Sequence, residues 1–463
     1  MMNSYAPESF RALTFHDRPS AFRTGSDTPR DLLERCLDTI AGRDDVVRAW
    51  VILNEQGARA AADASTARWR SDSPLSPIDG MPIGIKDLLE TVDMPTEQGC
   101  AALAGNYPKR DNAAVWALRR AGAIIVGKTV TAELGGSEPG PTTNPFDSGR
   151  TPGGSSSGSA AAVGARMIPA AIGSQVGGSI IRPAGYCGNV ALKPSQGGIN
   201  RGERQATSMS THGVHAGCVE DTWRVAIEIV NRVGGDRGQP GIIGPVEPPT
   251  PTKPRRLVVL ETQGWPDLDN TTRRAFDQML DGVADAGIEL ITRRDDPLVE
   301  SLEHSVRDAR SFCGAITVFE NRLAQRALID EHPGKVSRRL IAGVEYAERL
   351  TVDDYRRALE RRSVAQACHR AVAGIADATV TLSCPGPAHL WSPDDDQSPR
   401  PTGDFLFNAP ASLMFAPAVS VPMLAVDNLP VGVQVVGQRE EDYRTLGIAR
   451  WLHEELTPVA LTS

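Results

Sequence analysis

The residues that could do chemistry are a lysine in an apolar setting, Ile83-Gly-Ile-Lys86-Asp87, and two serine- and glycine-rich loops, Pro152-Gly-Gly-Ser-Ser-Ser-Gly-Ser159 and Ser174-Gln-Val-Gly-Gly-Ser179. A serine hydroxyl is a poor nucleophile until a base stands within hydrogen-bond reach, and a lysine can be that base only when it is neutral. Apolar neighbours such as Ile83 and Ile85 disfavour the ammonium form. Bringing a lysine from a pKa of about 10.4 to near 7 takes roughly 4–5 kcal/mol of differential stabilisation. Each element alone also has an ordinary reading. A buried lysine is more often paired with a carboxylate, and Asp87 adjoins Lys86; a Gly/Ser loop is more often a linker or a phosphate cradle.

Two other chemistries find less support. Gly154-Ser-Ser-Ser-Gly158 has the form Gly-x-Ser-x-Gly, the nucleophile elbow that would make Ser156 reactive. An elbow follows a β-branched strand, however, and Arg150-Thr-Pro-Gly-Gly precedes this one. The eight histidines include no His-x-x-x-His pair and no accompanying carboxylates at zinc spacing, so no metal is expected. His212 and His215 are separated by Gly213 in what reads as a turn, and Cys187 reads as a small core residue.

Taken together, Arg150 to Ser195, RTPGGSSSGSAAAVGARMIPAAIGSQVGGSIIRPAGYCGNVALKPS, resembles the amidase signature family, which joins a Gly-Gly-Ser-Ser-Gly-Gly-Ser loop to a Gly-Gly-Ser nucleophile turn and an Arg-Pro-Ala run. The resemblance extends to Gly84-Ile-Lys-Asp, Gly127-Lys-Thr, Asn144-Pro145, Val219-Glu-Asp221 and Leu429-Pro-Val-Gly-Val-Gln434, and so covers most of the chain. Lys86 and Ser155 are 69 residues apart, and Ser179 follows 24 later, spacings typical of that family. The resemblance implies Ser179 as the acyl-forming nucleophile, Ser155 as a bridging serine preceded by a cis peptide bond, and Lys86 as the terminal base. The run Val176-Gly177-Gly178-Ser179 can aim successive backbone N–H groups at one point, as an oxyanion hole requires.

Arg182, three residues past Ser179, either holds the serine loop or pairs with a substrate carboxylate. Gln175 stands where many members carry aspartate, and Ser157 replaces a common glycine. Met94, Gln175, Arg182 and His212 are the candidate substrate-binding residues, on loops expected to line an acyl pocket near Met94, 133–138, 208–215 and 385–407. The reaction implied is hydrolysis of a small-molecule carboxamide without a cofactor, with a homodimer as an admitted assembly. A glutamine-dependent amidotransferase subunit, a hydrolase of carbamates, hydrazides or esters, and a non-catalytic binding protein are the alternatives.

The elements that must position these groups read as α/β. From Thr28 to Arg70 the pattern is helical; Asn112–Gly122 is a helix stopped by glycine before a short buried strand at 123–127. Positions 135–198 hold 15 of the 44 glycines, a density that implies backbone in close contact. Arg256–Glu261 and 288–292 read as strands about a helix at 270–286; 301–377 reads as a charged helical layer with Glu303, Arg307, Arg310 and Arg361-Arg362 on solvated faces. Strands at 379–383, 418–422 and 429–437 and a helix at 441–455 complete the chain. The resemblance implies one domain over 1–463, with a mixed central sheet of many strands covered by helices on both sides. Its parts are N-terminal helices to 70, a catalytic core over 71–260, a helical layer over 295–378 and C-terminal strands and helix over 379–463.

Net charge is −8 with no basic run beside interleaved aromatics, so nucleic acid is not an expected partner. The apolar stretch Phe407–Val426 is broken by Pro410, Pro417 and Pro422, so no membrane span is read. Seven scattered cysteines without a Cys-x-x-Cys pair, and no apolar leader in Met1–Arg23, make the cytoplasm the expected compartment.

Overall fold

A computed structural model describes residues 4–463 apart from 137, 204–206, 393–397 and 399. Among the described residues twelve strands form one mixed sheet: β1 (Trp50–Leu53), β2 (Pro82–Lys86), β3 (Ile124–Thr129), β4 (Ala170–Gln175), β5 (Val190–Lys193), β6 (Thr211–Ala216), β7 (Arg256–Val259), β8 (Glu289–Ile291), β9 (Ala378–Leu382), β10 (Ala418–Val426), β11 (Leu429–Val436) and β12 (Val459–Leu461). Their order across the sheet is β1-β3-β2-β4-β6-β5-β10-β11-β9-β7-β8, with β12 added alongside β10. Helices cover the sheet, as expected of the α/β class. No helix among the described residues is long and apolar enough to cross a membrane.

The middle of the sheet positions the lysine. All five residues of β2 are buried, as a strand covered on both faces requires. β2 runs parallel to both β3 and β4, with Ile85 opposite Ile172. Parallel neighbours end at the same side, so Lys86, the last residue of β2, arrives beside Ser174 near the end of β4. Such carboxyl ends are where α/β sheets hold their ligands. The helix Ser157–Gly164, made of small residues and buried along its whole length, starts directly after the first serine loop and packs beneath β4.

Several elements differ from the sequence reading. The helical stretch 28–70 is two helices, Pro29–Val47 and Glu55–Arg70, with β1 between them; four residues pairing antiparallel with β3 are too few to show a period. His212-Gly-Val-His215 is not a turn but the body of β6, paired with β4 and β5. Gly213 is there for proximity: a Cβ would stand 2.2 Å from the Leu192 carbonyl oxygen. The helical layer comprises Pro297–Val306, Ala309–Glu331, Arg338–Arg349 and Val352–Val372, and Val299, Leu302, Cys313 and Ile316 from it form a second apolar core with sheet residues such as Val258 and Val436 and with Ile180 and Ile181. Glu303, expected on a solvated face, is buried and accepts a hydrogen bond from the Glu261 N–H at 2.9 Å.

A second lysine lies one strand away. Lys128 Nζ on β3 donates to Asp87 Oδ1 at 2.8 Å and Thr96 Oγ1 at 2.7 Å, with both members of the ion pair fully buried. Removing one partner of a buried pair leaves an uncompensated charge, so Asp87→Ala is expected to lower stability by about 3–5 kcal/mol. Asp87→Ala/Lys128→Met should regain much of that loss; urea denaturation of the two variants measures it.

Candidate active site

Lys86 is wholly buried and, among the described residues, has no carboxylate in hydrogen-bond contact. Asp87, its sequence neighbour, is taken by Lys128 instead. Around Lys86 Nζ stand Ser155 Oγ at 2.8 Å, Ser156 Oγ at 2.9 Å, Ser174 Oγ at 3.0 Å and the Ser174 carbonyl oxygen at 3.3 Å. Burial, and then the positive charge of Arg182, hold its pKa well below the ordinary lysine value. Hydroxyls and a carbonyl solvate a neutral amine adequately but leave an ammonium short of counter-charge.

The available protons orient that amine. Ser156 Oγ donates to the Ser174 carbonyl at 3.1 Å and accepts from the Ser174 N–H at 3.2 Å. Its own proton being so engaged, Ser156 can only accept from Lys86. A neutral amine has two N–H donors, which Ser156 and Ser174 absorb, and one lone pair, which is left facing the Ser155 hydroxyl. Ser156 is fully buried against Lys86, away from the cavity, which removes it as an elbow nucleophile.

The Gly154–Ser155 peptide bond is cis. Its carbonyl side is held by Arg182, whose Nη2 donates to Gly154 O at 2.5 Å while Nε donates to Thr402 O at 2.7 Å. The two serine loops meet where the Ser156 N–H reaches the Ser179 carbonyl at 3.3 Å. Ser155 and Ser179 both line a cavity of about 700 Å³, with Ser179 partly exposed to it.

Gln175, at the end of β4, builds the turn from inside. Its Oε1 accepts from the Ile180 and Ile181 N–H groups at 2.8 and 3.0 Å, and its Nε2 donates to Gly177 O at 3.3 Å and Ser412 Oγ at 3.0 Å. Ser412 Oγ donates to the same Gly177 carbonyl at 2.8 Å, and Gly178 O accepts from the Arg182 N–H. In a trans peptide the C=O and the following N–H point opposite ways. With the Gly177 and Gly178 carbonyls drawn into the protein, the N–H groups of Gly178 and Ser179 face the other way. That is the arrangement a candidate oxyanion hole needs.

Of the four candidate substrate-binding residues, Arg182 alone lines the cavity. Met94 is buried in the main apolar core, because the 91–94 turn folds inward. Gln175 serves the turn. His212 is buried on β6 opposite Ser174, with neither ring nitrogen partnered among the described residues; burial and then Arg201 push its pKa down to about 3, so the ring stays neutral. The stretches 133–138, 208–215 and 385–407 do contribute cavity residues, among them Glu133, Ser210 and Phe405; positions 137, 393–397 and 399 lie outside the described residues. The sequence reading missed the roof: Ala309–Glu331 and Arg338–Arg349 bring Arg310, Cys313, Asn321 and Tyr346 over the cavity. Arg310 and Cys313, one helical turn apart, were the available signal.

The protein-family model described as Amidase matches residues 31–446. The chain belongs to the amidase signature family. Among its curated relatives, a glutamyl-tRNA(Gln) amidotransferase subunit of Chloroflexus aggregans is 31% identical over 92% of this chain and 93% of its own. Of solved structures, an amidase crystal structure superposes with TM-score 0.82 at 27% identity, covering 96% of this chain and 100% of that one. A peptide amidase from Stenotrophomonas maltophilia shares the fold at TM-score 0.72 and 24% identity, with 96% of each chain covered.

Because only neutral Lys86 can accept a proton, kcat/KM should fall as pH drops through its lowered pKa. The acid limb is expected far below the value near 10 of an exposed lysine, and a profile flat from about pH 5 to 9 would contradict a titrating base. Ser155→Ala should cost about 10²–10⁴-fold in kcat with the melting transition retained.

Proposed function

We propose that this protein cleaves a carboxamide C–N bond through an acyl-enzyme on Ser179. The observation that carries the reading is a buried amine without a carboxylate partner among the described residues, set against Ser155 at the floor of a cavity into which Ser179 opens. Ser179 Oγ attacks the carbonyl carbon as its proton passes to Ser155, whose own proton moves to Lys86. The oxyanion is received by the N–H groups of Gly178 and Ser179. The Lys86 ammonium returns the proton through Ser155 to the leaving nitrogen, the C–N bond breaks, and water activated along the same relay hydrolyses the ester. Arg182 acts on the reaction by holding the Gly154 carbonyl and by its charge, which adds to burial in keeping Lys86 neutral.

Two fates of the nitrogen are compatible with this floor. In the first it is released and the protein is a hydrolase of small amides; Gln175 in the place of a common aspartate and the His212-Gly-Val-His215 strand support this. In the second, ammonia passes to a partner and the chain works within a glutamine-dependent amidotransferase. That reading is supported by curated relatives named as subunits of glutamyl-tRNA(Gln) amidotransferase, at 31–32% identity over 92% of this chain.

The experiment is fluorophosphonate treatment with mass spectrometry, together with ammonia release by the lone chain from glutamine, aliphatic and aryl amides. The adduct is expected on Ser179; an adduct on Ser156, or inactivation with Ser179 unmodified, would refute the assignment. Turnover of simple amides with glutamine ignored supports the hydrolase, and glutamine turnover that appears only with partner subunits supports the amidotransferase.

A further inference from the structure

Outside the cavity, metal-ligand side chains gather where the N-terminal segment crosses the junction between β6 and the helix Val219–Val233. Gly217, in that junction, admits the segment: a Cβ there would stand 2.2 Å from the Leu13 carbonyl oxygen. The Phe15 N–H then donates to Asp221 Oδ2 at 2.7 Å, and Arg224 Nη1 donates to the His16 carbonyl at 3.1 Å. These contacts set the His16 ring against the start of the helix. Its Nδ1 lies 3.4 Å from Cys218 Sγ and its Nε2 3.9 Å from Glu220 Oε1. One ligand atom from each of His16, Cys218 and Glu220 falls within 4.8 Å of the others. No local spacing marks the group, since His16 and Cys218 are 202 residues apart.

Zinc bonds of about 2.0–2.3 Å in a tetrahedron hold their ligand atoms roughly 3.3–3.7 Å apart, so shifts of about 1 Å would close these three around one ion. A second observation points the same way. Asp221 is fully buried, and its Oδ1 has no hydrogen-bond partner among the described residues. Burial pushes its carboxyl up, while the Phe15 N–H, then His16 and the Cys218 thiol, draw it down, so the carboxylate faces the group. A buried carboxylate oxygen without a donor is rare in native proteins, and a cation satisfies it. Two arginines border the group. Arg450 Nη2 donates to Glu220 Oε1 at 2.7 Å and leaves Oε2 free of a partner among the described residues, while Arg224 is engaged with the His16 carbonyl. Neither supplies what Asp221 Oδ1 lacks.

We propose that His16, Cys218 and Glu220, with Asp221 beside them, bind one divalent cation of the zinc class and so staple the N-terminal segment to the helix Val219–Val233. Imidazole together with thiolate selects zinc, or cobalt in its place, over magnesium and calcium, which take oxygen ligands. On binding, the Cys218 S–H bond breaks, its proton leaves to solvent and the sulfur bonds the metal. The site is independent of acyl transfer at Ser179.

The test titrates the full chain, dialysed against chelator, with Co²⁺ followed by absorption and with Zn²⁺ followed by calorimetry. One equivalent of Co²⁺ should bring up thiolate-to-metal charge-transfer absorption that Zn²⁺ then bleaches. Cys218→Ser keeps an acceptor at the start of the helix and hence the fold. It should abolish that absorption and weaken Zn²⁺ at least about tenfold, and His16→Gln should weaken Zn²⁺ by a similar factor. Cys368→Ser, at the other half-buried thiol, should change neither. One equivalent of Zn²⁺ should raise the melting temperature of the parent protein and of Cys368→Ser, but not of Cys218→Ser. No charge-transfer absorption, absorption that survives Cys218→Ser, or undiminished Zn²⁺ affinity in His16→Gln would each overturn the proposal.

Discussion

The desolvated amine of Lys86 is the constraint around which the rest of the molecule is arranged. Burying an ammonium without a counter-ion costs several kcal/mol even after relaxation, and a lysine so placed gives up its proton instead. That outcome depends on keeping anions away. The fold does this by topology: β2 lies between two parallel strands, so the amine emerges against the end of β4 and meets hydroxyls and a carbonyl. A single carboxylate in hydrogen-bond reach would favour the charged form and remove the amine as a candidate base.

The neighbouring lysine shows how local that decision is. Lys128 is as deeply buried as Lys86, yet it holds Asp87, and Asp87 also accepts from the Glu97 N–H. The two lysines sit on adjacent strands, and it is Lys128 that receives the aspartate. Drawing Asp87 towards β3 gives Lys128 its partner and withholds it from Lys86. A structural ion pair is in this way a condition for the lowered pKa of the lysine beside it.

Much of the floor of the candidate site was legible in the sequence because it depends on short segments whose residue types have few other uses. Gly154 to Ser159 and Ser174 to Ser179 carry their spacing and chemistry within single loops, and the structure brings both to Lys86. What was not legible depends on distant pairings. Four residues of β1 gain strand character only from β3, and the β6 histidines look turn-like because Gly213 is there to admit Leu192 from the next strand. Met94 had no local mark separating a core methionine from a pocket one. Arg310 read as a surface charge because nothing in its helix reports that Phe405, almost a hundred residues later, folds beneath it.

The cavity has a floor and a roof from different parts of the chain. The floor is the end of a deeply buried sheet, where even a methyl group on Gly213 or Gly177 has no room. The roof is a pair of helices: Ala309–Glu331 shares an apolar core with Ile180 and Ile181 behind the Ser179 turn, and Arg338–Arg349 is tied to the rim by Glu133 to Ser337 and Glu138 to Arg339. Floor and roof therefore come from segments far apart in the chain that are joined through one apolar core. A change of side chain at Cys313 or Ile316 would thus be felt behind the turn that carries Ser179, whereas one at the rim would alter the cavity mouth and leave that turn in place.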